Sequence, residues 1–484
     1  MPTEDGTPRS SYLEHDSDPS NTIDRRASVE IIQWDEDDPA HPVKRSLMRR
    51  WLTVVIISLC SLCVACTSSI YTTTYDQLLH EFHCSQEVAT LGLSLFVFGM
   101  GFGPLILGPL SELYGRRVIF LSSFTFFLIW LVPCAVARNI QTLLISRFFN
   151  GFAGSAFLSV AGGAVGDMFP RHQLAAPMMI YTASPFVGPE LGPLRWTFYT
   201  LLIWAATMLV SIYFFVPETH HPALLTRKAR EIRKKTGNPW PLGPSENSNV
   251  PVSALILRSI VRPVMLLTLE PMCLNLCIYS ALLLGILYLF FGAFQMVFQS
   301  VYGFELWQRG LTFLGLLVGM VLAILSDPFW HRNYKRLEKN HHIQNPEASG
   351  FEPEWRLPPA IAGAPLVTIG LFIFSWTIYP GIHWIVPMIG SALFGAGTIL
   401  VFSGIFTFLV EAYPRYAASA LAANSFTRST FAGAFPLFGT QMYNKLGLHW
   451  ASCLLAFLTL AMVPFPYIFY RYGARIRKKS RFTS

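Results

Sequence analysis

The chain has 484 residues, 52% hydrophobic and only 13% charged, with a mean hydropathy of +0.43. A soluble domain is about a quarter charged, so this composition excludes a soluble globular protein and requires much of the surface to face lipid. The net charge of +8 does not point to nucleic acid, because the basic residues fall in loops between apolar segments, where they set orientation in a bilayer.

Residues 1–43 are rich in Asp, Glu, Ser and Pro. Such a segment buries too little apolar surface to offset its ordering entropy, so a disordered cytoplasmic tail is expected, with no signal peptide. Arg25-Arg26-Ala27-Ser28 fits a basophilic kinase site and fits a chance match equally well. Twelve apolar spans follow, each near the roughly 20 residues that cross a bilayer: 51–71, 88–110, 118–137, 143–166, 175–194 and 196–216, then 264–288, 310–327, 359–379, 384–408, 415–440 and 450–470. Cys60, Cys63 and Cys66 sit in threes on the first span, and small apolar residues on one helix explain them better than a metal site. The expected organisation is a six-helix half (44–216), a cytoplasmic linker (217–263), a second six-helix half (264–470) and a basic tail (471–484). Within the linker, Pro222–Lys235 has the composition of a basic helix lying on the anionic inner leaflet.

Lys and Arg alternate sides. Lys44, Arg45, Arg49 and Arg50 precede the first span, Arg116 and Arg117 follow the second, and Arg171 follows the fourth. The linker, the 328–358 loop and Arg471–Arg481 continue that side, whereas 72–87 has no Lys or Arg at all. Both termini are therefore expected in the cytoplasm, which requires an even number of spans. The halves echo each other: Glu112 with Arg116-Arg117 ends span two, and Asp327 with Arg332 and Lys335-Arg336 ends span eight. Internal repeats of this kind surround a central site.

Five places carry candidate chemistry. The first is Gly108–Arg117, GPLSELYGRR. Gly108 and Gly115 permit close backbone approach, Glu112 is an acid at the membrane boundary, and Arg116 and Arg117 mark that boundary as cytoplasmic; the plainer alternative is a basic loop. Ionisable groups inside the membrane cost about 2.5–3.5 kcal/mol on insertion scales, so each needs a reason. Arg147 precedes Gly151, Gly154, Gly162 and Gly163, a smooth face for close packing. Its guanidinium stays charged at physiological pH and can act on a proton held by a neighbouring carboxylate; the alternative is an interfacial arginine reaching for headgroups. Span five contains SPFVGPELGP, in which Gly188, Pro189, Gly192 and Pro193 kink the helix and free backbone groups toward a cavity. Glu190 within it could titrate, attract a cation, or simply pair with an arginine. Glu270, followed by Pro271 and Asn275, is either a buried proton carrier or an inner-rim residue. Asn424 and Arg428 lie one turn apart on span eleven, placed to contact substrate or to bond between helices.

The string at 108–117 resembles the Gly, acid, Gly, Arg-Arg signature between the second and third helices of major facilitator superfamily transporters. The Arg147 helix resembles that superfamily's Arg followed by a Gly-rich stretch, which implies a role in proton coupling. The span-five string resembles the motif that marks antiporters. With Asp327–Trp330 (DPFW), 269–276 (LEPMCLNL) and span eleven, the chain is similar over roughly 45–475 to the fungal drug:proton antiporters with twelve spans. One departure stands out: Leu194 runs directly into Arg195-Trp196, where the family places more glycines and an external loop. Residues 175–216 barely hold two spans of about 20 residues.

The expected fold is an all-α polytopic membrane protein of the major facilitator type, two six-helix halves around a central cavity. The expected function is proton-coupled export of small organic molecules, such as drugs, polyamines or other organic cations, across the plasma membrane. It would work as a monomer with protons, a small-molecule substrate and the bilayer as partners, without cofactor, metal or nucleic acid. Arg147, Glu190, Glu270, Asn424 and Arg428 would serve substrate and proton, with 108–117 latching the inner gate. The rival readings are a non-transporting receptor or sensor on the same fold and a nutrient importer. No nucleophile motif or metal cluster supports an enzyme.

Overall fold

The computed structural model describes residues 34, 38, 41–169, 194–236, 242–244, 246, 251–344, 352–478 and 480. The first half begins with α1 (Leu47–Ser69), followed by a short outer helix α2 (Tyr75–Phe82), α3 (Gln86–Tyr114), α4 (Arg116–Val136), α5 (Ile140–Gly154) and α6 (Ala156–Met168). After span five, which lies outside the described residues, come α7 (Leu194–Phe215), the linker helix α8 (His221–Thr236) and α9 (Val252–Leu269). The second half comprises α10 (Pro271–Tyr302), α11 (Leu306–Leu311), α12 (Phe313–Leu325), α13 (Asp327–Gln344), α14 (Pro358–Thr377), α15 (Ile385–Ala412), α16 (Ala417–Met462) and α17 (Pro464–Arg477). Gly447, at φ 76°, breaks α16 into the eleventh and twelfth spans.

Each half has its own apolar core. In the first, Ile57, Phe96, Phe124, Phe127 and Phe157 are fully buried; in the second, Phe290, Phe294, Phe374 and Phe394 are. Helix contacts in lipid depend on close packing, and glycine provides it: a Cβ on Gly151 would sit 2.0 Å from the Phe96 carbonyl oxygen, and one on Gly99 2.2 Å from that of Phe148. This locks α5 against α3. Between the halves α3 lies along α16, with Phe102 edge-on to Phe426 at 5.3 Å and Gly433 under the Phe98 ring. At the outer end the Gln441 amide donates to Glu87 at 3.0 Å.

Two elements differ from the expected pattern. The span expected at 264–288 begins at Pro271 and runs to Tyr302, because Glu270 is extended (φ −115°, ψ 94°) and Pro271 opens a new helix; proline suits a first helical position, where its missing N–H costs nothing. The residues before it form α9, which packs on both α3 and α16 at the inner end. Span eight, in turn, continues past the membrane as α13, a polar helix bearing Arg332, Lys335 and Arg336.

Candidate functional site

Arg147 is placed by the glycine contact of α5 with α3 and is fully buried. Its Nη1 donates to the Thr67 carbonyl at 2.8 Å and its Nε to the Gly92 carbonyl at 3.3 Å. The guanidinium lies between two rings, 4.3 Å from the Tyr71 centroid and 4.4 Å from that of Phe96. Gly92 makes the stack possible, since a Cβ there would strike the Tyr71 hydroxyl. Among the described residues Nη2 has no hydrogen-bond partner and no carboxylate forms an ion pair with Arg147. Carbonyl oxygens and aromatic faces thus hold the buried cation.

Beside it lies a cavity between the halves, lined by Thr72, Tyr75, Thr90, Tyr288, Met296 and Tyr443 among others. Tyr288 accepts from the Ser68 hydroxyl at 3.3 Å, joining α10 to α1. Asn424 and Arg428 share α16 but have different surroundings. The Asn424 side-chain oxygen accepts a hydrogen bond from Ser280 on α10, and the residue is buried. Arg428 stands over Phe402 and Phe406, 5.4 and 5.1 Å from the ring centroids.

Glu270 is the N-cap of α10 and is 5% exposed. Tyr413 donates to its Oε2 at 3.3 Å and Ser480 to its Oε1 at 2.6 Å. Gly188, Pro189, Glu190, Gly192 and Pro193 lie outside the described residues.

The 108–117 segment folds into a latch whose acids come from elsewhere. Gly115 takes φ 96° and allows the Glu218 carboxylate to approach; a Cβ would lie 2.4 Å from Oε2. Glu218 then accepts from the backbone N–H groups of Arg116 (2.9 Å), Arg117 (3.1 Å), Thr219 (2.9 Å) and His220 (2.9 Å). It satisfies the exposed donors at the start of α4, where a negative charge also suits the helix dipole. The Arg116 side chain pairs with Asp167 at 3.3 Å and donates to Ser111 at 2.6 Å, while Arg117 donates to the Tyr213 carbonyl at 2.8 Å. Glu112 is exposed, and Gly108 has open space about its Cα. Sequence reading passed over Glu218 and Asp167. Their only signal is that each acid follows a span on the side where Arg116 and Arg117 lie.

Contacts from the linker support this arrangement. His221 contacts the Asp167 carbonyl at 3.0 Å and packs edge-on to Trp34 and at a tilt to His41, and Lys228 pairs with Asp38 at 2.6 Å. Burial, with the His221 and Lys44 charges, lowers the proton affinity of His41; burial and Arg116 do the same for His220. Helix α8 covers the whole of the stretch expected to be helical, Pro222–Lys235, with Arg230 and Arg233 both on Glu246 at 2.8 Å. Arg233 foremost holds that carboxyl down at about 2.

Residues 57–436 match the family model described as Major Facilitator Superfamily. Among relatives, the efflux pump atB of Aspergillus terreus is 54% identical, over 92% of this chain and 88% of that protein. The probable drug/proton antiporter YHK8 of Saccharomyces cerevisiae is 43% identical, over 90% and 86%. Among solved structures, the proton:xylose symporter XylE bound to 6-bromo-6-deoxy-D-glucose superposes with a TM-score of 0.62 at 15% identity, over 87% of this chain and 96% of that one. The human organic anion transporter MFSD10 (TETRAN) gives 0.58 at 16%, over 87% and 100%. At such identities the two structures speak for the fold alone.

Proposed function

This chain belongs to the major facilitator superfamily, and we propose that it exports small organic molecules, such as drugs, polyamines or other organic cations, in exchange for protons across the plasma membrane. It is a transporter rather than an enzyme. The names of its fungal relatives, efflux pump and drug/proton antiporter, support the direction and the coupling. The observation that carries the reading is Arg147: a fully buried guanidinium beside the cavity between the halves, with an N–H that has no partner among the described residues.

A guanidinium does not release its proton at physiological pH, so Arg147 works by acting on protons held elsewhere. A carboxylate brought near Nη2 is favoured in its charged form and gives up its proton; when substrate or helix movement draws the two apart, the carboxyl takes the proton back. Glu190 and Glu270 are the carriers in this reading. Glu270 lies at the cytoplasmic end, where imported protons are delivered. Inward proton movement supplies about 2.3 kcal/mol per elementary charge per 100 mV. Arg428 and Asn424 face the substrate path from the second half, and the Gly115–Arg117 latch with Glu218 and Asp167 closes the inner face. Both termini and the linker lie on the cytoplasmic side, in keeping with the alternation of Lys and Arg.

The test is efflux of labelled drugs and polyamines from cells expressing the chain, with and without a protonophore. Protonophore-sensitive efflux is expected, lost in Arg147→Ala and poorly restored in Arg147→Lys. An ammonium does not stack flat between Tyr71 and Phe96 while spanning two carbonyls. Efflux indifferent to the protonophore, or full activity in Arg147→Ala, would sink the proposal. Uptake without efflux would turn the reading to an importer, and neither would turn it to a receptor on the same fold.

A further inference from the structure

The last turn of α17 and Ser480 beyond it are held by two buried acids. Arg477 makes a two-pronged pair with Glu354, Nε to Oε1 at 2.8 Å and Nη2 to Oε2 at 2.7 Å, and Glu354 is 3% exposed. Gly473 lets the helix close on that carboxylate, since a Cβ there would meet Oε1 at 2.5 Å. Three residues on, the Ser480 hydroxyl donates to Glu270 at 2.6 Å, and its backbone N–H bonds to the Arg477 carbonyl at 2.9 Å. With Tyr413 on the other oxygen, undocking the tail takes from Glu270 the hydrogen bond that Ser480 supplies. The tail thereby joins the start of α10 to the 353–356 segment.

The same residues spell out a second chemistry. Arg475-Ile476-Arg477-Lys478-Lys479-Ser480-Arg481 puts arginines five and three positions before a serine. Kinases that select basic substrates read such side chains with carboxylates, in the same two-pronged geometry that Glu354 uses. The docked tail and a kinase therefore compete for Arg477.

We propose that Ser480 is the phosphorylation site of a basophilic, ATP-dependent kinase, and that phosphorylation undocks the C-terminal tail from Glu270 and Glu354. The Ser480 Oγ attacks the γ-phosphorus of ATP and forms an O–P bond. The bond from that phosphorus to the bridging oxygen breaks, ADP leaves with the electron pair, and the hydroxyl proton passes to the kinase's base. The product carries close to two negative charges at neutral pH. A hydroxyl that donated to a carboxylate becomes a dianion facing it, and redocking loses its hydrogen bond and gains like-charge repulsion. The Arg477 guanidinium, whose charge could otherwise hold the phosphate in place, is spent on Glu354 in the docked state. The inference goes beyond the transport reading and does not depend on Glu270 carrying protons.

The test uses the purified full-length chain in lipid nanodiscs, incubated with ATP and a basophilic kinase, read by phosphosite mass spectrometry and amide hydrogen exchange. Ser480 should take up phosphate, and Ser480→Ala should lose that site. In the phosphorylated chain the Lys478 and Ser480 amides, bonded to Ala474 and Arg477, should exchange at least about tenfold faster, the worth of one hydrogen bond to a charged group. In Glu270→Gln the facing charge is gone, and phosphorylation should change exchange much less. An unmodified Ser480, exchange unchanged or slowed by phosphate, or an equal acceleration in Glu270→Gln would each overturn the proposal.

Discussion

Replacing Glu218 by alanine tests whether the inner latch is built as described. Its carboxylate accepts four backbone N–H groups, two of them at the start of α4 and contributed by residues about a hundred positions away in the chain. A helix N-cap is worth about 1 kcal/mol and up to about 2; hydrogen bonds to a charged acceptor contribute about 1.5–3 kcal/mol each when water cannot replace them. Glu218 is half-buried, so water recovers part of the loss, and a net destabilisation of about 2 kcal/mol is expected. Because the bonds join the end of α7 to the start of α4, the loss falls on the latched arrangement. About 2 kcal/mol corresponds to roughly a thirtyfold shift in population. Two assays read it: thermal unfolding of the purified protein, followed by tryptophan fluorescence, and cytoplasmic labelling of a cysteine placed next to Ser111. Glu218→Gln keeps one carbonyl acceptor and should fall between wild type and alanine on both. Unchanged stability and labelling in Glu218→Ala, or a glutamine variant worse than alanine, would refute the cap argument.

Gly151→Val should prevent accumulation of folded protein, because its Cβ meets the Phe96 carbonyl, a backbone atom that cannot rotate away; Gly166→Ala, with open space about it, should accumulate normally by in-gel fluorescence of a fusion. The proton affinities of His41 and His220 are lowered on docking from the ordinary 6.5, so docking favours their neutral forms. The contact of 41–44 with the linker should be complete above about pH 6.5 and weaken as pH falls through the lowered values, read as faster amide exchange at 41–44 and 219–222 after correction for intrinsic rates. Inserting about a dozen residues, glycine-rich and then polar, after Leu194 should raise both efflux and stability, because helix connections normally take 2–8 residues; equal performance of the unmodified chain would show that the short connection is harmless.

Much of the fold was legible because the bilayer imposes length and polarity on each span. The alternation of Lys and Arg needs no tertiary information, and a Gly-rich helix behind Arg147 announces close packing. What Arg147 touches was not legible: the Thr67 and Gly92 carbonyls and the Tyr71 and Phe96 rings come from two other helices, and backbone acceptors leave no mark on a sequence. The start of span seven was misjudged by a full turn or more because α9 is as apolar as a membrane helix; only the extended Glu270 and Pro271 end it.

The latch shows most clearly where local reading stops. An acid and two arginines within ten residues invite pairing with one another, yet Glu112 is exposed while Arg116 takes Asp167 and its backbone takes Glu218. The reason is geometric. Gly115 reverses the chain between α3 and α4 and is itself the N-cap of α4; it has no side chain to accept from the first turn, so the open N–H groups are met by the Glu218 carboxylate from another part of the chain. The second half follows the same principle with other residues. Its sequence echo, Asp327 with Arg332 and Lys335-Arg336, forms no ion pair among the described residues; the inner ends there are joined by Arg356 with Glu411 and by Arg477 with Glu354. Two halves that look like a faded repeat thus hold these ends by different pairs. The first half answers to the linker through His220 and His221, and the second to the C-terminal tail through Ser480 and Arg477. The latches can therefore be loosened one at a time, and a variant that frees one should leave amide exchange at the other unchanged.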